Sequence, residues 1–456
     1  MELISCGGGS EVGRSCFIIR DRDRAVVLDA GIKLQPKRMQ KRSLAPSDLK
    51  KYEEEIVAVL VSHAHLDHSG YVPALFKNHL DAKVHMTEPT LDIVQVLWKD
   101  HLKIEGNNHF TKKDIARTRK ATAAHQYSQS FRVADGIIAR FEDAGHVLGA
   151  ATISLDFDGQ RIFYTGDISN AITPFHDPVN IPESNSFDVM ITETTNGNRF
   201  IPSRKEVFSD LTKALLRRYS QKSKVIIPAF ALGRSQEIEV FLLQRFDDFL
   251  EKYPVYVDGM IATMNDIHEK YLDPHWISPR ILSWLKEVGY FSPFKNEMIT
   301  LIEDMPTKNK EKVRKRISQE NHPSIIITTS GMMEGGPIHS YLRYMGQTPS
   351  NLLAIVGYQV EGTIGHDIQC GKKQFHIVTP WKEEYDLKIG MQIKKFDFSG
   401  HISSVGLEEF IRFAEPKRVI GIHGERAAQT HIRESMAQHN IKVEYLRENT
   451  PLILAN

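Results

Sequence analysis

Cysteine, long apolar runs and net charge are all scarce in this sequence of 456 residues. The three cysteines, Cys6, Cys16 and Cys370, are odd in number and form no Cys-x-x-Cys pair. They argue against a disulfide framework or a thiolate zinc site, and they favour a reducing compartment. No apolar run approaches the ~18 residues of a transmembrane helix, and the N-terminus lacks the basic-then-apolar pattern of a signal peptide. We therefore expect a cytoplasmic protein without a membrane partner.

The charges nearly cancel, with 58 basic and 57 acidic residues and a net charge of +1. No global positive field attracts nucleic acid, so any polyanion has to be held in a local groove. The composition, 41% hydrophobic and 25% charged, is typical of a globular protein and excludes a low-complexity chain. At this length a single hydrophobic core stops growing, so two domains are expected.

The stretch from Val61 to Gly70 is the densest group of metal-competent side chains. It directly follows the apolar run Ile56–Leu60 and contains His63, His65, Asp67 and His68. Each of these groups needs a partner if it is buried, and two divalent cations would satisfy all of them. A polar loop with hydrogen-bonded histidines is the alternative; it explains one histidine well and three with an aspartate poorly. Imidazole and carboxylate without thiolate indicate zinc or manganese.

Other metal-competent side chains also follow short β-type runs. The runs Cys16–Ile19 and Ala25–Leu28 predict one hairpin, and Ala151–Leu155 and Arg161–Tyr164 predict another. Loops at strand ends carry the chemistry of many sheet proteins, because the sheet holds them rigidly. The strand ends so marked are those at Asp29, His146, Asp167, Glu193, His401 and His423.

The pattern changes near residue 199 to strands alternating with helices. Ser203 and Glu206 form a capping box before an amphipathic helix, and strands are predicted at 224–230, 254–257, 324–329 and 352–356. Alternation of this kind predicts a parallel α/β domain. If His401 and His423 rejoin the first cluster, this domain is an insertion. The expected boundaries are 1–198, 199–370 and 371–456.

Two small-residue loops of the insertion are candidates for binding anions. The first, Ser330–Pro337, opens a helix with Pro337 at its first position, where free N–H groups suit a phosphate. The second, Gly357–Thr363, follows the next strand, but glycines mark any tight turn and either loop alone is weak evidence. The basic stretch 33–42 is predicted as a solvated loop. The stretch 88–130 is helical in pattern, and His101, His109 and His125 are assigned to the surface.

These residues together resemble a known family over essentially the whole chain. The motif His63–His68, with Asp29, His146, Asp167 and His423, resembles the metallo-β-lactamase fold. Glu193 and His401, with the motifs Pro228–Ser235, Ser330–Gly336 and Gly357–Thr363, resemble its β-CASP ribonuclease branch, which includes archaeal ribonuclease J and archaeal cleavage-and-polyadenylation-factor-like nucleases. The resemblance implies an α/β fold: a metallo-β-lactamase αββα sandwich with an inserted parallel α/β β-CASP domain.

The resemblance also implies the roles of the site residues. Two Zn²⁺ ions, with Mn²⁺ possible, are expected: His63, His65 and His146 hold one, Asp67, His68 and His423 the other, and Asp167 bridges. Asp29 orients the motif loop. Asp67, Glu193 and His401 are expected to be catalytic, with His401 as the acid for the leaving oxygen. A histidine at position 423 implies single-stranded RNA as substrate. The expected RNA or phosphate contacts are Arg234, Ser330, Gly331, Gly335, Gly336, Gln359, Glu361, Gly362 and Thr363.

The expected function is a zinc-dependent ribonuclease that works by a two-metal mechanism in RNA decay or maturation. We favour a 5′→3′ exoribonuclease acting on 5′-monophosphorylated RNA, because the chain starts directly with its first strands and has no long C-terminal domain. An endoribonuclease of the cleavage-and-polyadenylation-factor type is the alternative. A catalytically silent RNA-binding subunit and a small-molecule hydrolase are less favoured functional hypotheses. A homodimer is expected.

Overall fold

The computed structural model describes residues 1–35, 43–78, 80–250, 253–378 and 383–454. Of the basic side chains in the stretch 33–42, Lys33 lies within these ranges; Lys37, Arg38, Lys41 and Arg42 lie outside them. None of the helices in the described ranges combines the length and the apolar character needed to cross a bilayer.

The strands form two groups separated by the insertion. Those before residue 199 are β1 (Glu2–Gly7), β2 (Cys16–Asp21), β3 (Arg24–Leu28), β4 (Ile56–Leu60), β5 (Lys83–Thr87), β6 (Thr122–His125), β7 (Ser130–Ala134), β8 (Ile137–Asp143), β9 (Ala151–Phe157), β10 (Gln160–Tyr164) and β11 (Val189–Glu193). Those that follow are β12 (Val225–Pro228), β13 (Val255–Asp258), β14 (Ile299–Leu301), β15 (Ile325–Thr328), β16 (Leu352–Ile355), β17 (Gln374–Val378), β18 (Glu384–Lys388), β19 (Gln392–Lys395), β20 (Arg418–Ile422), β21 (Val443–Tyr445) and β22 (Leu452–Ile453).

The helices of the first part of the chain are α1 (Leu66–Ser69), α2 (Val72–Leu75), α3 (Glu88–Glu105) and α4 (Lys112–Ala121). Those that follow are α5 (Arg204–Ser220), α6 (Arg234–Leu250), α7 (Ile261–Lys270), α8 (Pro279–Val288), α9 (Lys310–Gln319), α10 (Pro337–Met345), α11 (Ile364–Gln369), α12 (Ser404–Ala414) and α13 (Arg426–Ala437). Short 3-10 helices span Leu49–Tyr52, Phe76–Asn78 and Ile302–Asp304.

Two sheets form the sandwich predicted from the sequence. In the described residues their strand orders are β22-β1-β2-β3-β4-β5-β6 and β21-β20-β11-β10-β9-β8-β7. Alternate side chains of a strand point to opposite faces. Phe17 and Ile191 therefore lie in the core between the sheets, whereas Ile18 and Met190 lie in the core that also contains buried residues of α3, α12 and α13. Both predicted hairpins, β2–β3 and β9–β10, are present.

The insertion has a parallel sheet of its own, with the order β14-β13-β15-β12-β16-β19 in the part of the chain that the structure describes. Strands β12, β15 and β16 are short buried runs composed mainly of isoleucine, leucine and valine, as expected for the part of a sheet that is covered on both faces. The predicted capping box is present at the start of α5. Because β19 pairs with β16, this sheet continues beyond the expected boundary at residue 370, and the chain returns to the sandwich after Lys395.

The stretch 88–130 is only partly helical, which corrects the prediction. Helices α3 and α4 account for residues 88–105 and 112–121, but β6 follows at once because it pairs in parallel with β5 at the sheet edge. Tertiary pairing overrides the local pattern here. The surface assignment of the histidines is also wrong: His101 is buried, His109 is half-buried, and the half-buried His125 stacks on Phe131 with ring centroids 3.6 Å apart.

Helix α6 of the insertion buries a carboxyl group, Glu239, that the metal chemistry does not use. Its Oε2 atom accepts a hydrogen bond of 2.8 Å from Asn265, while Oε1 makes no hydrogen bond within the described residues. Burial raises the pKa of Glu239 from 4.5 to about 8, although the Asn265 hydrogen bond lowers it. Between these two pH values the unfolded chain releases a proton that the folded chain keeps. Stability therefore falls as pH rises through this range.

We expect Glu239→Gln to stabilise the protein at pH 7 by about 3 kcal/mol, since one pKa unit corresponds to about 1.4 kcal/mol. Near pH 4.5 the variant and the wild type should be alike. Urea denaturation at several pH values between 4.5 and 8.5 measures the difference. Exposed Glu287 on α8 supplies the control, Glu287→Gln, which should keep the pH dependence of the wild type. Parallel stability curves for wild type and Glu239→Gln would contradict the assignment.

Candidate metal centre

Strand ends deliver the predicted ligands to one edge of the sandwich. Strands β10, β11 and β20 are neighbours and run parallel, so their carboxyl ends lie side by side. Glu193 is the last residue of β11, and Asp167 and His423 lie in the loops after β10 and β20. The loop after β4 runs into α1 and carries the motif His63–His68. His146 lies between β8 and β9. Side chains separated by up to 360 residues of sequence thus converge on a single site.

The first group of donors comprises His63, His65, His146 and Asp167. The Nδ1 atom of His65 lies 3.0 Å from Nε2 of His63 and 3.2 Å from Nε2 of His146. Asp167 Oδ2 lies 3.6 Å from His63 Nε2 and 3.8 Å from His146 Nε2. Three ring nitrogens and one carboxylate oxygen therefore surround a common point.

The second group comprises Asp67, His68 and His423, and it also faces Asp167. His68 Nε2 and His423 Nδ1 lie 3.2 and 3.3 Å from Asp167 Oδ1. Asp67 Oδ2 lies 3.5 Å from His423 Nε2. One oxygen of Asp167 thus faces each group, which is the arrangement of a carboxylate that bridges two metal ions.

The donor atoms fit two divalent cations. Lone pairs of neutral imidazoles repel one another at 3 Å unless a proton or a cation lies between them, and the buried Asp167 Oδ1 makes no hydrogen bond among the described residues. Burial lowers the pKa of His63 and His146 well below the ordinary value and that of His65 to about 4. These three imidazoles are therefore neutral, as metal ligands must be. Burial also lowers the pKa of His68, but the carboxylates of Asp167 and Asp29 outweigh it and raise that pKa well above its ordinary value, so a cation that binds here displaces a proton from His68. The imidazole and carboxylate donor set suits zinc.

The buried Asp29 holds the loop that carries His63–His68 in place through hydrogen bonds. Its Oδ1 atom accepts a hydrogen bond of 2.7 Å from the backbone N–H of Ser62. Its Oδ2 atom accepts from the Ser62 hydroxyl at 2.7 Å and from the Tyr164 hydroxyl at 2.6 Å, and lies 2.7 Å from His68 Nδ1. This leaves Nε2 of His68 directed at the second donor group. A carboxylate behind a ligating histidine sets its ring orientation in metal sites generally.

Close packing also holds the loop in place at Gly31. A Cβ atom on this glycine would lie 1.7 Å from the backbone oxygen of Asp67, a distance that no side chain can occupy. The backbone that follows β3 therefore packs directly against the backbone of the loop that carries His63–His68.

Glu193 and His401 form a pair next to the donor groups. Glu193 is fully buried, accepts a hydrogen bond of 2.7 Å from the backbone N–H of Ile168, and lies 3.0 Å from His401 Nδ1. Burial lowers the pKa of His401, but the carboxylates of Glu193 and Asp167 outweigh it and raise the pKa to about 9. In the metal-free site these two carboxylates therefore favour the cationic form of His401 at neutral pH. Its ring lines a cavity between the sandwich and the insertion, together with His65, His146, Phe230 and Tyr358.

Three family models match successive parts of this chain. The metallo-beta-lactamase superfamily profile matches residues 9–199, the Beta-Casp domain residues 235–368, and the Zn-dependent metallo-hydrolase RNA specificity domain residues 386–446. The transcription termination factor FttA of Methanocaldococcus jannaschii is 31% identical over 98% of this chain and 70% of that protein. An RNase J-like protein of the same organism is 31% identical over 92% of this chain and 91% of that protein.

The chain belongs to the β-CASP nuclease branch of the metallo-β-lactamase superfamily. This is a family of zinc-dependent metallo-hydrolases. A solved structure of a protein of unknown function from Enterococcus faecalis, 12% identical and covering 99% of both chains with a TM-score of 0.55, shares the fold.

Arg234, expected to contact RNA, is largely buried and lines the cavity beside the metal centre of this β-CASP protein. Its guanidinium group pairs with Glu237 and donates a hydrogen bond of 3.0 Å to the backbone oxygen of His146. Burial lowers the pKa of Arg234 to about 10. The side chain therefore positions the loop that carries a ligand, and it connects the insertion to the sandwich at this point.

The residues expected in the two small-residue loops hold those loops together. Gln359 is buried and donates to the backbone oxygens of Gly331 (2.9 Å) and Gly357 (3.1 Å), which joins the loops. Thr363 caps α11, and the Ser330 hydroxyl accepts from the N–H of Glu334. Gly335 and Gly362 are half-buried, while Glu361 and Gly336, at the start of α10, are exposed.

Two further residues of the site carried no recognised signal in the sequence. Tyr164 ends β10 and hydrogen-bonds Asp29, as described above. The Thr195 hydroxyl lies 3.1 Å from His423 Nδ1 and donates to the His423 backbone oxygen at 2.9 Å. Both lie at the ends of strands already marked, within three residues of Asp167 and Glu193, and proximity to those ends was the signal that could have found them.

Proposed function

We propose that this protein is a zinc-dependent ribonuclease that hydrolyses phosphodiester bonds of single-stranded RNA by a two-metal mechanism. The observation that carries the proposal is the pair of donor groups that share Asp167, next to the Glu193–His401 pair. Two divalent cations bound here would supply an activated water and offset the negative charge that develops on the phosphate. The residues of the chain supply position and protons.

The protein residues divide the work as follows. Asp29 keeps the ring of His68 oriented, and Asp167 keeps the two donor groups together. His401, kept protonated by Glu193, donates a proton to the 3′ oxygen as the bond from phosphorus to that oxygen breaks. The oxygen of water forms the new bond to phosphorus. The products are therefore a 5′-phosphate on the downstream fragment and a 3′-hydroxyl on the upstream fragment.

RNA is supported as the substrate class by two observations. The profile named for RNA specificity covers residues 386–446, which include His401 and His423. The cavity beside the metal centre also contains the basic residues Arg199 and Lys395 and the exposed ring of Tyr358. Cationic groups beside an aromatic ring are the usual means of holding a single strand. Such a local groove is the kind of site that a nearly neutral chain needs to hold a polyanion.

We propose further that cleavage proceeds 5′→3′ from a monophosphorylated end. This direction rests on the resemblance to ribonuclease J, and a relative named RNase J-like protein matches this chain over nearly its whole length. So does the position of the loop 330–337: Gly331 packs against the backbone of Phe230, whose side chain lines the cavity. This loop leads into the N-terminus of α10. The N–H groups of Ile338 and His339 there donate to backbone oxygens and are not free as expected, so it is the helix dipole that would attract a terminal phosphate. Oligomeric state is a separate proposal, a homodimer, which sedimentation would test.

The experiment uses one RNA labelled at its 5′ or 3′ end, with a monophosphate, a triphosphate or a hydroxyl at the 5′ end. We expect mononucleotides to be released in order from the 5′ end, fastest with the monophosphate. Asp167→Asn serves as the control for contaminating nuclease. Fixed internal fragments that form equally with all three 5′ ends would identify an endonuclease instead.

Tyr358 should contribute to RNA affinity through stacking. One base–aromatic stack is worth about 1–3 kcal/mol, so Tyr358→Ala should raise the Kd for single-stranded RNA roughly tenfold, while Tyr358→Phe should bind like the wild type. Fluorescence anisotropy in a His401→Asn background, in which cleavage is slow, gives the Kd. Phe291, fully exposed on the insertion, provides the matched control: loss of affinity in Phe291→Ala as large as in Tyr358→Ala would exclude a specific stack.

A further inference from the structure

A second cluster of metal-ligand side chains lies at the end of α3. His101 and Glu105 are four residues apart, so they share one face of the helix. The helix ends at Gly106, whose φ of 66° and N–H bond to the Leu102 oxygen (3.0 Å) turn the chain back. This turn brings His109 to the same face. Donor atoms of His101, Glu105 and His109 all lie within 4.8 Å of one another.

His101 is buried in this cluster although one of its ring nitrogens has no hydrogen-bond partner among the described residues. Its side chain is 3% exposed, and its Nε2 atom makes no hydrogen bond within the described ranges of the chain. A buried polar atom without a partner costs about 1–3 kcal/mol, and such atoms are rare in native structures. Phe110 stacks near the ring with centroids 5.6 Å apart, while the ring of His109 lies 6.1 Å away and nearly parallel.

Ser43, from a distant part of the chain, closes the cluster. Its hydroxyl and its backbone N–H donate to Glu105 Oε2 at 3.1 and 3.2 Å. His109 Nε2 lies 2.9 Å from the same hydroxyl and 3.2 Å from the Ser43 backbone oxygen. Ser43 therefore orients the carboxylate and the second imidazole, and it offers an oxygen as a fourth ligand. Two imidazoles, one carboxylate and one further oxygen form a donor set that zinc accepts.

We propose that His101, Glu105 and His109 bind a third divalent cation of the zinc class, distinct from the two at the sandwich edge. None of these side chains belongs to the catalytic donor groups, and the proposal does not depend on the proposed ribonuclease activity. The bound cation fixes the segment at Ser43 to the end of α3. Helix α3 also contacts the insertion, since Asp92 pairs with Lys270 at 2.6 Å and accepts from the Tyr271 hydroxyl at 2.8 Å. The cation thus braces a helix that connects the two domains.

The test counts metal on the full chain. After equilibrium dialysis against zinc and removal of free metal, mass spectrometry should find about one equivalent more in the wild type than in Glu105→Gln or His109→Asn. Exposed His275 supplies the control: His275→Asn should hold as much zinc as the wild type. Circular dichroism checks that each variant is folded, and two different substitutions guard against one of them failing to fold.

A second measurement tests whether the zinc equivalent that the variants lack was bound outside the catalytic donor groups. Addition of zinc to the chelated wild type should raise its thermal midpoint more than that of Glu105→Gln, while both zinc-loaded proteins should cleave RNA at rates within about threefold of each other. Loss of one equivalent with cleavage retained supports a separate site. Equal zinc content in wild type, Glu105→Gln and His109→Asn would overturn the proposal.

Discussion

Asp167→Asn should lower the rate of RNA cleavage by a factor of roughly 10³ or more while the chain stays folded. The substitution removes one carboxylate charge and replaces one of the two oxygens that face the donor groups. Charge stabilisation by metal ions is worth several kcal/mol, and about 4 kcal/mol corresponds to a factor of about 10³. Because Asp167 faces both groups, the variant should also lose zinc from both.

The measurement pairs initial rates on labelled RNA with zinc content by mass spectrometry. Asp210, a half-exposed carboxylate that pairs with Lys394, gives the matched control, since Asp210→Asn changes the same chemical group outside the donor groups. It should retain both the rate and the zinc. If Asp167→Asn kept both zinc equivalents and cleaved at near the wild-type rate, a bridging role for Asp167 would be wrong.

His401→Asn should lower kcat for RNA by about 10²–10⁴, the usual contribution of a general acid, with zinc content unchanged. The physical reason is that the 3′ oxygen of ribose leaves poorly as an anion and needs the proton that His401 carries. Glu193→Gln should act in the same direction and more weakly, because it removes the carboxylate that keeps His401 protonated.

A substrate with a good leaving group separates this role from metal binding. p-Nitrophenolate leaves without a proton, so hydrolysis of bis(p-nitrophenyl) phosphate by His401→Asn should stay within about tenfold of the wild type. His275→Asn controls for the loss of any histidine. A parallel loss of both activities, together with zinc, would show that His401 is a ligand and not an acid.

The motif loop shows how much of the site could be predicted. Its histidines and Asp67 are contiguous in sequence, and each further ligand follows a short apolar run that ends a strand. The position of the site at the carboxyl ends of β10, β11 and β20 therefore follows from local patterns. The roles of the individual ligands came from the resemblance and stay predictions until tested.

The two small-residue loops show which contacts could not be predicted from the sequence. Ser330, Gln359 and Thr363 have the chemistry to contact a phosphate, yet the fold turns Gln359 and Thr363 inward to join and cap the loops. Arg234 likewise donates to the backbone oxygen of His146, 88 positions away in the sequence. A side chain's partners depend on which segments pack beside it, and sequence spacing contains no such information for separate segments of the chain.

The positions of His101 and His109 also depend on contacts that sequence spacing does not reveal. In the sequence they are isolated histidines on a polar helix, and the surface was the reasonable expectation. Only the turn at Gly106 and the approach of Ser43 bury His101 and place Glu105 and His109 beside it.

The sequence by itself thus determined the alternation of strands and helices and the identities of the metal-competent side chains, because these depend on short-range periodicity and on residue chemistry. The tertiary structure alone decided that Asp167 faces both donor groups, that β19 extends the sheet of the insertion, and that a second cluster exists on α3. Each of these depends on burial and contacts between segments far apart in the chain.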